Sequence, residues 1–129
     1  MFDSGYIYIL MTSFFTVVGE LIIKWRIDSI SFTLTGSTFN KAQSVVALLF
    51  DKYIMLGLFS AVIAALFWMA ALSKFNLSFA YPMIIALLTV LTISASIIIL
   101  GESLSSLQTI GVTIVVIGLV ILWFAGSTV

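Results

Sequence analysis

The sequence has few charged residues and lacks cysteine and histidine altogether. Only 8% of its 129 residues are charged, whereas a soluble domain typically carries about 25%. This scarcity excludes a water-soluble globular domain. The missing cysteine and histidine exclude disulfides, structural zinc and the usual histidine-based catalysis, so neither an enzyme nor a cofactor-binding protein is expected. The five basic and five acidic residues give a net charge of zero, so the sequence lacks the excess of positive charge that is typical of nucleic-acid-binding proteins.

Hydrophobic residues make up 63% of the chain and form four runs of 18 to 22 residues, at 6–23, 53–72, 79–100 and 107–125. Each run can cross a hydrocarbon core of about 30 Å as a helix, and unpaired backbone groups are not tolerated in lipid. We therefore predict an all-α integral membrane protein, with four transmembrane helices forming one domain over residues 1–129. The first run lacks the basic start of a cleavable signal.

The only long connection covers about 29 residues, 24–52, between the first two runs. Its last part has apolar residues at near-helical spacing, namely Phe39, Ala42, Val45, Val46, Leu49 and Phe50. One interpretation is an amphipathic helix that lies flat at the membrane interface. The other is a mobile loop with scattered apolar residues.

Basic residues are concentrated on one side of the predicted spans. Lys24, Arg26, Lys41 and Lys52 flank the first connection, and Lys74 alone lies on the opposite side. By the positive-inside rule, the long connection is expected to face the cytoplasm and both termini the outside. We expect a multi-pass membrane protein in one fixed orientation.

Helix one carries a charge inside its span. Ser13, Thr16 and Glu20 follow i, i+3, i+7 spacing and therefore share a face. A carboxylate near a span centre costs about 2.5 to 3.5 kcal/mol, so such residues usually face protein or water and mark a functional path. Glu20 is the leading substrate-binding candidate. The alternative is a structural ion pair with Lys24, four residues later.

Helix three places Thr89, Thr92 and Ser96 on one stripe. These hydroxyls either line a polar cavity or bond back to their own helix. Tyr81 is either an interfacial anchor or a ligand contact. Pro82 is expected in the first turn, where a missing N–H costs little.

Two further features concern the other helices. Glu102 lies in a short loop before helix four, where it either stabilises the helix start or contacts substrate. Helix two is rich in small residues that allow close helix approach, namely Gly57, Ser60, Ala61, Ala64 and Ala65. Helix four has Gly111 and Gly118 but no ionisable group, which is typical of a scaffold or subunit-contact helix.

Several short motifs occur in a characteristic order: Val18-Gly19-Glu20 with Lys24, Ala80-Tyr81-Pro82, Leu100-Gly101-Glu102-Ser103-Leu104, Ile110-Gly111-Val112 and Ile117-Gly118-Leu119-Val120. In this order and spacing the chain resembles the drug/metabolite transporter superfamily, and within it the four-helix proteins of the small multidrug resistance type. The resemblance covers nearly the whole chain outside the first connection and implies a dimeric transporter.

One departure separates the chain from the multidrug exporters. Those proteins bind cations through a glutamate three residues before the helix-one glycine, where this chain has Thr16, and an acid follows the glycine instead as Glu20. A closer resemblance is to the paired subunits that flip aminoarabinose-phosphoundecaprenol. They share a Gly-Gln/Glu step before the helix-one lysine, an Ala-Tyr-Pro-Met element and a comparatively long, basic first connection.

The resemblance implies a small transporter that flips a polyprenyl-phosphate-linked sugar across the bacterial inner membrane. Two copies, or two related four-helix subunits, would pair through helix four, because four helices are too few to enclose a path. The head group would pass the polar residues of helices one and three, and Lys24 and Arg26 would attract its phosphate. The alternatives are a proton-coupled exporter of a small cation or metabolite, and a non-transporting membrane subunit of a larger complex.

Overall fold

The computed structural model describes residues 4–126, which form helices and the loops between them, without a strand. The five α-helices are α1 (Ser4–Ser29), α2 (Thr38–Leu49), α3 (Lys52–Leu72), α4 (Leu77–Ala95) and α5 (Ser106–Ala125). All but α2 are long and apolar enough to span a membrane, and α4 reaches that length with the turn that follows it, to Leu100. The predicted all-α, four-span fold is confirmed, and the predicted helices one to four are α1, α3, α4 and α5.

The spanning helices run alternately up and down, so the molecule has two distinct ends. The charged end contains the C-terminus of α1 and the N-terminus of α3, together with Lys24, Arg26, Asp51 and Glu102. The aromatic end contains the N-terminus of α1 and the α3–α4 turn, together with Tyr6, Phe75, Phe79 and Trp123. The helix α2 lies in the connection at the charged end.

Helices α1 and α3 approach each other so closely that glycine is required at the crossing. A Cβ atom on Gly19 would lie 2.7 Å from the carbonyl oxygen of Gly57, which is backbone and cannot move aside cheaply. Nearby, the Ser60 hydroxyl donates a 2.6 Å hydrogen bond to the carbonyl oxygen of Phe15. Small residues bring two helices together in lipid because the backbones can then make van der Waals contact. The predicted role of Gly57 and Ser60 is confirmed.

An ion pair also joins α1 to the start of α3. The Arg26 guanidinium contacts the Asp51 carboxylate at 2.7 Å, while the other Asp51 oxygen accepts the backbone N–H groups of Tyr53 and Ile54 and so caps α3. The hydrogen bond from Arg26 and these backbone donors hold the pKa of Asp51 below its ordinary value, against the opposing effect of desolvation. Asp51 therefore stabilises both a helix start and a helix pair.

The buried core lies at the aromatic end. Ile9, Ala71, Phe75, Phe79 and Met83 are among its buried residues. Tyr6 packs against this cluster, with ring centroids 4.9 Å from Phe75 and 4.8 Å from Trp123 of α5. These contacts join α1, the α3–α4 turn, α4 and α5 at one end of the molecule.

The long first connection contains a helix and not a loop throughout. Ser37 caps α2 by accepting the backbone N–H of Asn40. Phe39 and Phe50, at and just beyond the two ends of α2, are 77% and 79% exposed. Of the two interpretations of this segment, the helix is confirmed, and its placement at a membrane interface stays a prediction.

Helix α4 departs from the sequence-based description at both ends. It begins at Leu77, so Pro82 is its sixth residue and not in its first turn; the expectation that the missing N–H costs little is wrong, because the Ser78 carbonyl loses its intrahelical donor. At the other end the helix widens into a π-helical turn, Ser96–Leu100, which ends at Gly101 with a left-handed φ of 70°.

Helix α5 is attached differently from the others. Ser105 and Gln108 form a capping box at its start, in which each side chain bonds the other residue's backbone N–H. Along its described length, Ser106–Ala125, α5 has no buried residue and packs mainly against α4. The expectation that this helix is a scaffold or a subunit-contact helix stays a prediction.

Candidate functional site

A polar cavity of about 610 Å³ lies at the charged end, between α1, α4 and α5. We refer to it as the polar cavity after its polar side chains, although apolar groups supply most of its surface. Its ionisable and hydrogen-bonding residues are Glu20, Lys24, Thr89, Thr92, Ser96, Glu102 and Gln108. Five of these were predicted as substrate-binding residues: Glu20, Lys24, Thr89, Thr92 and Glu102. The fold therefore brings together residues that are as many as 88 positions apart in the sequence.

Glu20 and Thr92 form the central contact of the polar cavity. The Thr92 hydroxyl donates a 2.9 Å hydrogen bond to the Glu20 Oε2 atom, which joins α1 to α4. Glu20 remains exposed in spite of this contact. Because a carboxylate has two oxygens and about four acceptor positions, Glu20 keeps acceptor capacity for a ligand.

The alternative explanation of Glu20, an ion pair with Lys24, is not present. The Lys24 Nζ atom lies 2.9 Å from Asp28 Oδ1, one turn further along α1, and both side chains are about half exposed. Glu20 therefore accepts a hydrogen bond from Thr92 of α4, whereas Lys24 pairs with Asp28, which lies further toward the C-terminus of α1. Lys24 and Glu102 both border the polar cavity.

The hydroxyl groups of Thr89, Thr92 and Ser96 differ in the groups to which they donate hydrogen bonds. Thr89 donates to the Ile85 carbonyl at 2.8 Å, and Ser96 donates to the Ile93 carbonyl at 3.0 Å. These bonds to the helix's own backbone are common for Ser and Thr in membrane helices. Only Thr92 reaches a side chain on another helix, although all three border the polar cavity.

Glu102 lies where α4 turns into α5. Its backbone N–H bonds the Ser96 carbonyl at 3.2 Å, which closes the π-helical turn. The N-terminus of α5 is capped by Ser105, so the capping role considered for Glu102 belongs to another residue. The Glu102 carboxylate instead borders the polar cavity opposite Glu20 and Lys24.

Two predicted residues on α1 lie outside the polar cavity. Ser13 is completely buried and donates to the Ile9 carbonyl at 2.9 Å. Thr16 donates to the Thr12 carbonyl at 2.8 Å and borders a separate depression next to α3. The i, i+3, i+7 spacing predicted that these hydroxyls would lie on the same side of α1 as Glu20 and contribute to its site. They do not border the polar cavity, because α1 packs against α3 along that part of its length.

Two further predicted residues are engaged elsewhere. The Arg26 guanidinium bonds Asp51 and does not border the polar cavity. Tyr81 packs near Trp68 of α3 with ring centroids 6.4 Å apart, close to the start of α4 at the aromatic end. The substrate contacts that we predicted for Arg26 and Tyr81 would therefore form at places other than this cavity.

Gln108 and Ser96 border the polar cavity but were not predicted as site residues. Ser96 was placed on the α4 stripe, and only its role was left open. Gln108 could have been found from its spacing, since Ser105-x-x-Gln108 is a capping-box pattern that fixes the side chain at the start of α5. Gly111 also borders the cavity, and because it has no side chain the space next to it remains part of the cavity.

The same three helices form a second depression of about 280 Å³ at the aromatic end. We call it the apolar groove, because its walls expose almost no polar surface. It is bordered by Tyr6, Ile9, Leu10, Met83, Leu87, Leu119, Val120, Trp123 and Phe124.

The fold and the two depressions define a multi-pass α-helical membrane protein with a polar cavity that opens between its helices. Comparison of the chain with protein-family models, curated proteins and solved structures finds no significant match. The chemistry available at the cavity is that of two carboxylates, one ammonium, three hydroxyls and an amide. Such a set offers charges and hydrogen-bonding groups of both kinds, and among residues 4–126 no cluster of carboxylates is arranged to hold a metal ion.

Proposed function

We propose that this chain is a small membrane transporter that moves a polyprenyl-phosphate-linked sugar from the cytoplasmic to the outer leaflet of a bacterial inner membrane. The observation that carries the proposal is the Glu20–Thr92 hydrogen bond in a cavity bordered by apolar, spanning helices. An intramembrane carboxylate is costly, and its retention beside a cavity is typical of substrate pathways.

The polar groups in the cavity suit the head group of such a lipid. Lys24 supplies a positive charge for a phosphate, and basic groups near the cytoplasmic surface commonly bind lipid phosphates. Glu20, Thr92 and Gln108 supply the acceptors and donors that sugar hydroxyls need. The placement of Lys24, Arg26, Lys41 and Lys52 at the charged end supports a cytoplasmic location for that end.

A second protomer completes this proposal. The described chain has only four spanning helices, and α5 presents its full length without a buried residue. We propose that α5 pairs with a second copy or with a related four-helix subunit, so that the polar cavity is sealed from lipid while the head group crosses. The hydrocarbon tail stays in the bilayer.

Transport can be tested in liposomes that contain the purified protein and a polyprenyl-phosphate sugar with a fluorescent label on the sugar. A membrane-impermeant reductant destroys the label only in the outer leaflet, so the rate of loss measures flipping. Glu20→Gln and Lys24→Ala are expected to lower this rate by about tenfold or more, which corresponds to about 1.4 kcal/mol for one charged contact. Lys74→Ala is the matched control, because Lys74 lies at the aromatic end.

Unchanged flipping in both Glu20→Gln and Lys24→Ala would refute the proposed site. Absence of flipping by the wild-type protein, combined with co-purification of a stable larger partner, would favour a non-transporting subunit instead.

A specific observation favours one other candidate function, the export of a small cation coupled to protons. Two carboxylates, Glu20 and Glu102, border the polar cavity against a single ammonium, Lys24. A surplus of negative charge attracts cations. Acid-driven export of a cation such as ethidium, lost in Glu20→Gln and retained in Lys24→Ala, would promote this candidate over lipid flipping.

A further inference from the structure

The side chains of the polar cavity include many hydrogen-bond acceptors and few available donors. Three of them carry hydroxyl groups with one proton each, and every one of these protons is already donated. The Thr92 hydroxyl donates to Glu20. Thr89 and Ser96 donate to carbonyl oxygens one turn back in their own helix. Glu20 and Glu102 are carboxylates, which can only accept. These five side chains therefore offer a ligand acceptors and no donor.

The side-chain donors that remain at the polar cavity, in the part of the chain that the structure describes, belong to Lys24 and Gln108. The Lys24 ammonium on α1 donates one of its protons to Asp28, which does not border the cavity. Gln108 lies in the first turn of α5 and is exposed. It is therefore the one uncharged donor side chain that the described residues present to the cavity.

The capping box of α5 determines which half of the Gln108 amide is available. The backbone N–H of Ser105 lies 2.8 Å from Oε1 of Gln108. Because a backbone N–H can only donate, the atom that it contacts must be the amide oxygen and not the nitrogen. The Nε2 group, with two protons, makes no hydrogen bond to residues 4–126. Gln108 thus uses its acceptor to hold the helix start and keeps its donors for an occupant of the cavity.

We infer that Gln108 is a specificity-determining residue of the polar cavity, and that its Nε2 protons bind acceptor oxygens of the ligand. This inference rests on the proposed function, because it takes the polar cavity as the site of the ligand's polar head. Phosphate oxygens and sugar oxygens both fit, since both accept hydrogen bonds. A cation does not fit next to Gln108, because the hydrogen ends of N–H groups carry partial positive charge.

Replacement of Gln108 by glutamate separates ligand binding from helix capping. Glutamate serves in a capping box as well as glutamine does, and its negative charge is favourable at a helix start. Gln108→Glu should therefore leave the melting temperature unchanged or raise it. The same substitution removes both Nε2 protons, so it should lower the flipping rate in liposomes by about tenfold or more.

Gln43→Glu is the matched control for this substitution. Gln43 lies on α2, in the connection at the charged end, and does not border the polar cavity. The chemical change is identical, and the added negative charge is at the same end of the molecule. Gln43→Glu should leave the flipping rate unchanged.

Binding can also be followed at Gln108 itself, without any transport measurement. The chain has only two glutamines, Gln43 and Gln108, so ¹⁵N labelling of glutamine side chains gives two amide groups in an NMR spectrum. The signal that is missing in Gln108→Glu belongs to Gln108. The full chain in lipid nanodiscs is titrated separately with undecaprenyl phosphate, with glucosyl undecaprenol, which carries a sugar and no phosphate, and with ethidium.

The Gln108 amide protons should move downfield on titration with undecaprenyl phosphate, with glucosyl undecaprenol or with both, while Gln43 stays in place. The lipid that causes the movement identifies the source of the oxygen, phosphate or sugar. Absence of movement with both lipids, an equal movement with ethidium, or a wild-type flipping rate in Gln108→Glu would overturn the inference.

Failure of the inference is distinguishable from failure of the proposed function. If the Gln108 signal responds to a lipid but the wild-type protein shows no flipping, Gln108 remains a ligand-binding residue and the transport proposal falls. If flipping depends on Glu20 and Lys24 but is unaffected by Gln108→Glu, the transport proposal stands and Gln108 only caps α5.

Discussion

Helices α3 and α5 are attached to the rest of the molecule in opposite ways. The α1–α3 pair is joined by a glycine crossing, the Ser60 hydrogen bond and the Arg26–Asp51 ion pair. In contrast, α5 has no buried residue over Ser106–Ala125, and a Cβ atom on Gly118 would contact nothing within 4 Å. Local stability falls where few apolar contacts are buried. The polar cavity is therefore bordered by one firmly held helix, α1, and one weakly held helix, α5.

This difference indicates which helix can move at a low cost in free energy. The proposed transport requires the access of the site to change from one side of the membrane to the other, and helix pairs that are locked by backbone contact resist such changes. We expect α5 to move relative to α1 and α4, while α1 and α3 move together. The following substitutions test that expectation, beginning with the one that should destabilise the protein most.

Gly19→Ala should give the largest loss of stability. Its Cβ would lie 2.7 Å from the Gly57 carbonyl oxygen, so the two helices must separate. Overpacking of this kind costs about 1 to 3 kcal/mol. The measurement is the free energy of unfolding in mixed micelles. Gly118→Ala is the matched control on α5 and should leave stability unchanged or raise it by up to about 1 kcal/mol. Equal losses for both variants would contradict the comparison.

Ser60→Ala should give a smaller loss, about 0.6 to 1.7 kcal/mol, which is the range for hydrogen bonds between membrane helices. The substitution removes the 2.6 Å bond to the Phe15 carbonyl. Ser94→Ala should cost almost nothing, because Ser94 is exposed and bonds only to Val90 of its own helix. If the two serine variants unfold at the same denaturant concentration, the interhelical bond does not contribute as proposed.

Tyr6→Leu should loosen α5 without weakening the α1–α3 pair. It removes the ring contact with Trp123, and an aromatic pair is worth about 0.5 to 1.5 kcal/mol beyond the area it buries. Hydrogen–deuterium exchange should accelerate in α5 and stay unchanged around Gly19 and Gly57. Trp25→Leu, which removes a ring contact with Tyr53 at the charged end, is the control and should not affect exchange in α5.

The smallest effect is expected from the ion pairs, and it depends on pH. Because Arg26 holds the pKa of Asp51 below its ordinary value, the pair stabilises the folded state at neutral pH. This contribution is lost as the pH falls below about 3.9, the ordinary value, and through the lowered pKa. Asp51→Asn should therefore lower the melting temperature at pH 7 and make less difference at about pH 3.

Asp28→Asn is the control for this pH dependence. Its partner Lys24 and Asp28 itself are about half exposed, compared with 27% and 18% for Arg26 and Asp51. Exposed pairs contribute little because water screens them. A larger effect of Asp28→Asn than of Asp51→Asn at neutral pH would reverse the assignment of which pair holds the helices together.

The sequence was sufficient for the number of spanning helices and for most of the polar residues that border the polar cavity. Long apolar runs predict spans because lipid offers backbone groups no partners, and Glu20 stood out as the only acid inside a span. The short-range details were less predictable. Pro82 lies in the second turn because α4 begins at Leu77, two residues before the apolar run, and the π-helical turn at Ser96–Leu100 has no distinct hydropathy pattern.

Composition and periodicity by themselves determined the membrane class, the four spans and the clustering of basic residues at one end, since each depends on the local chemistry of consecutive residues. The packing of the helices against one another determines that Thr92 and not Lys24 pairs with Glu20, and that Ser13 and Thr16 lie away from the polar cavity. Helical spacing states which residues share a face. It does not state which neighbouring helix that face meets, because that choice depends on the close approach of backbones far apart in the chain.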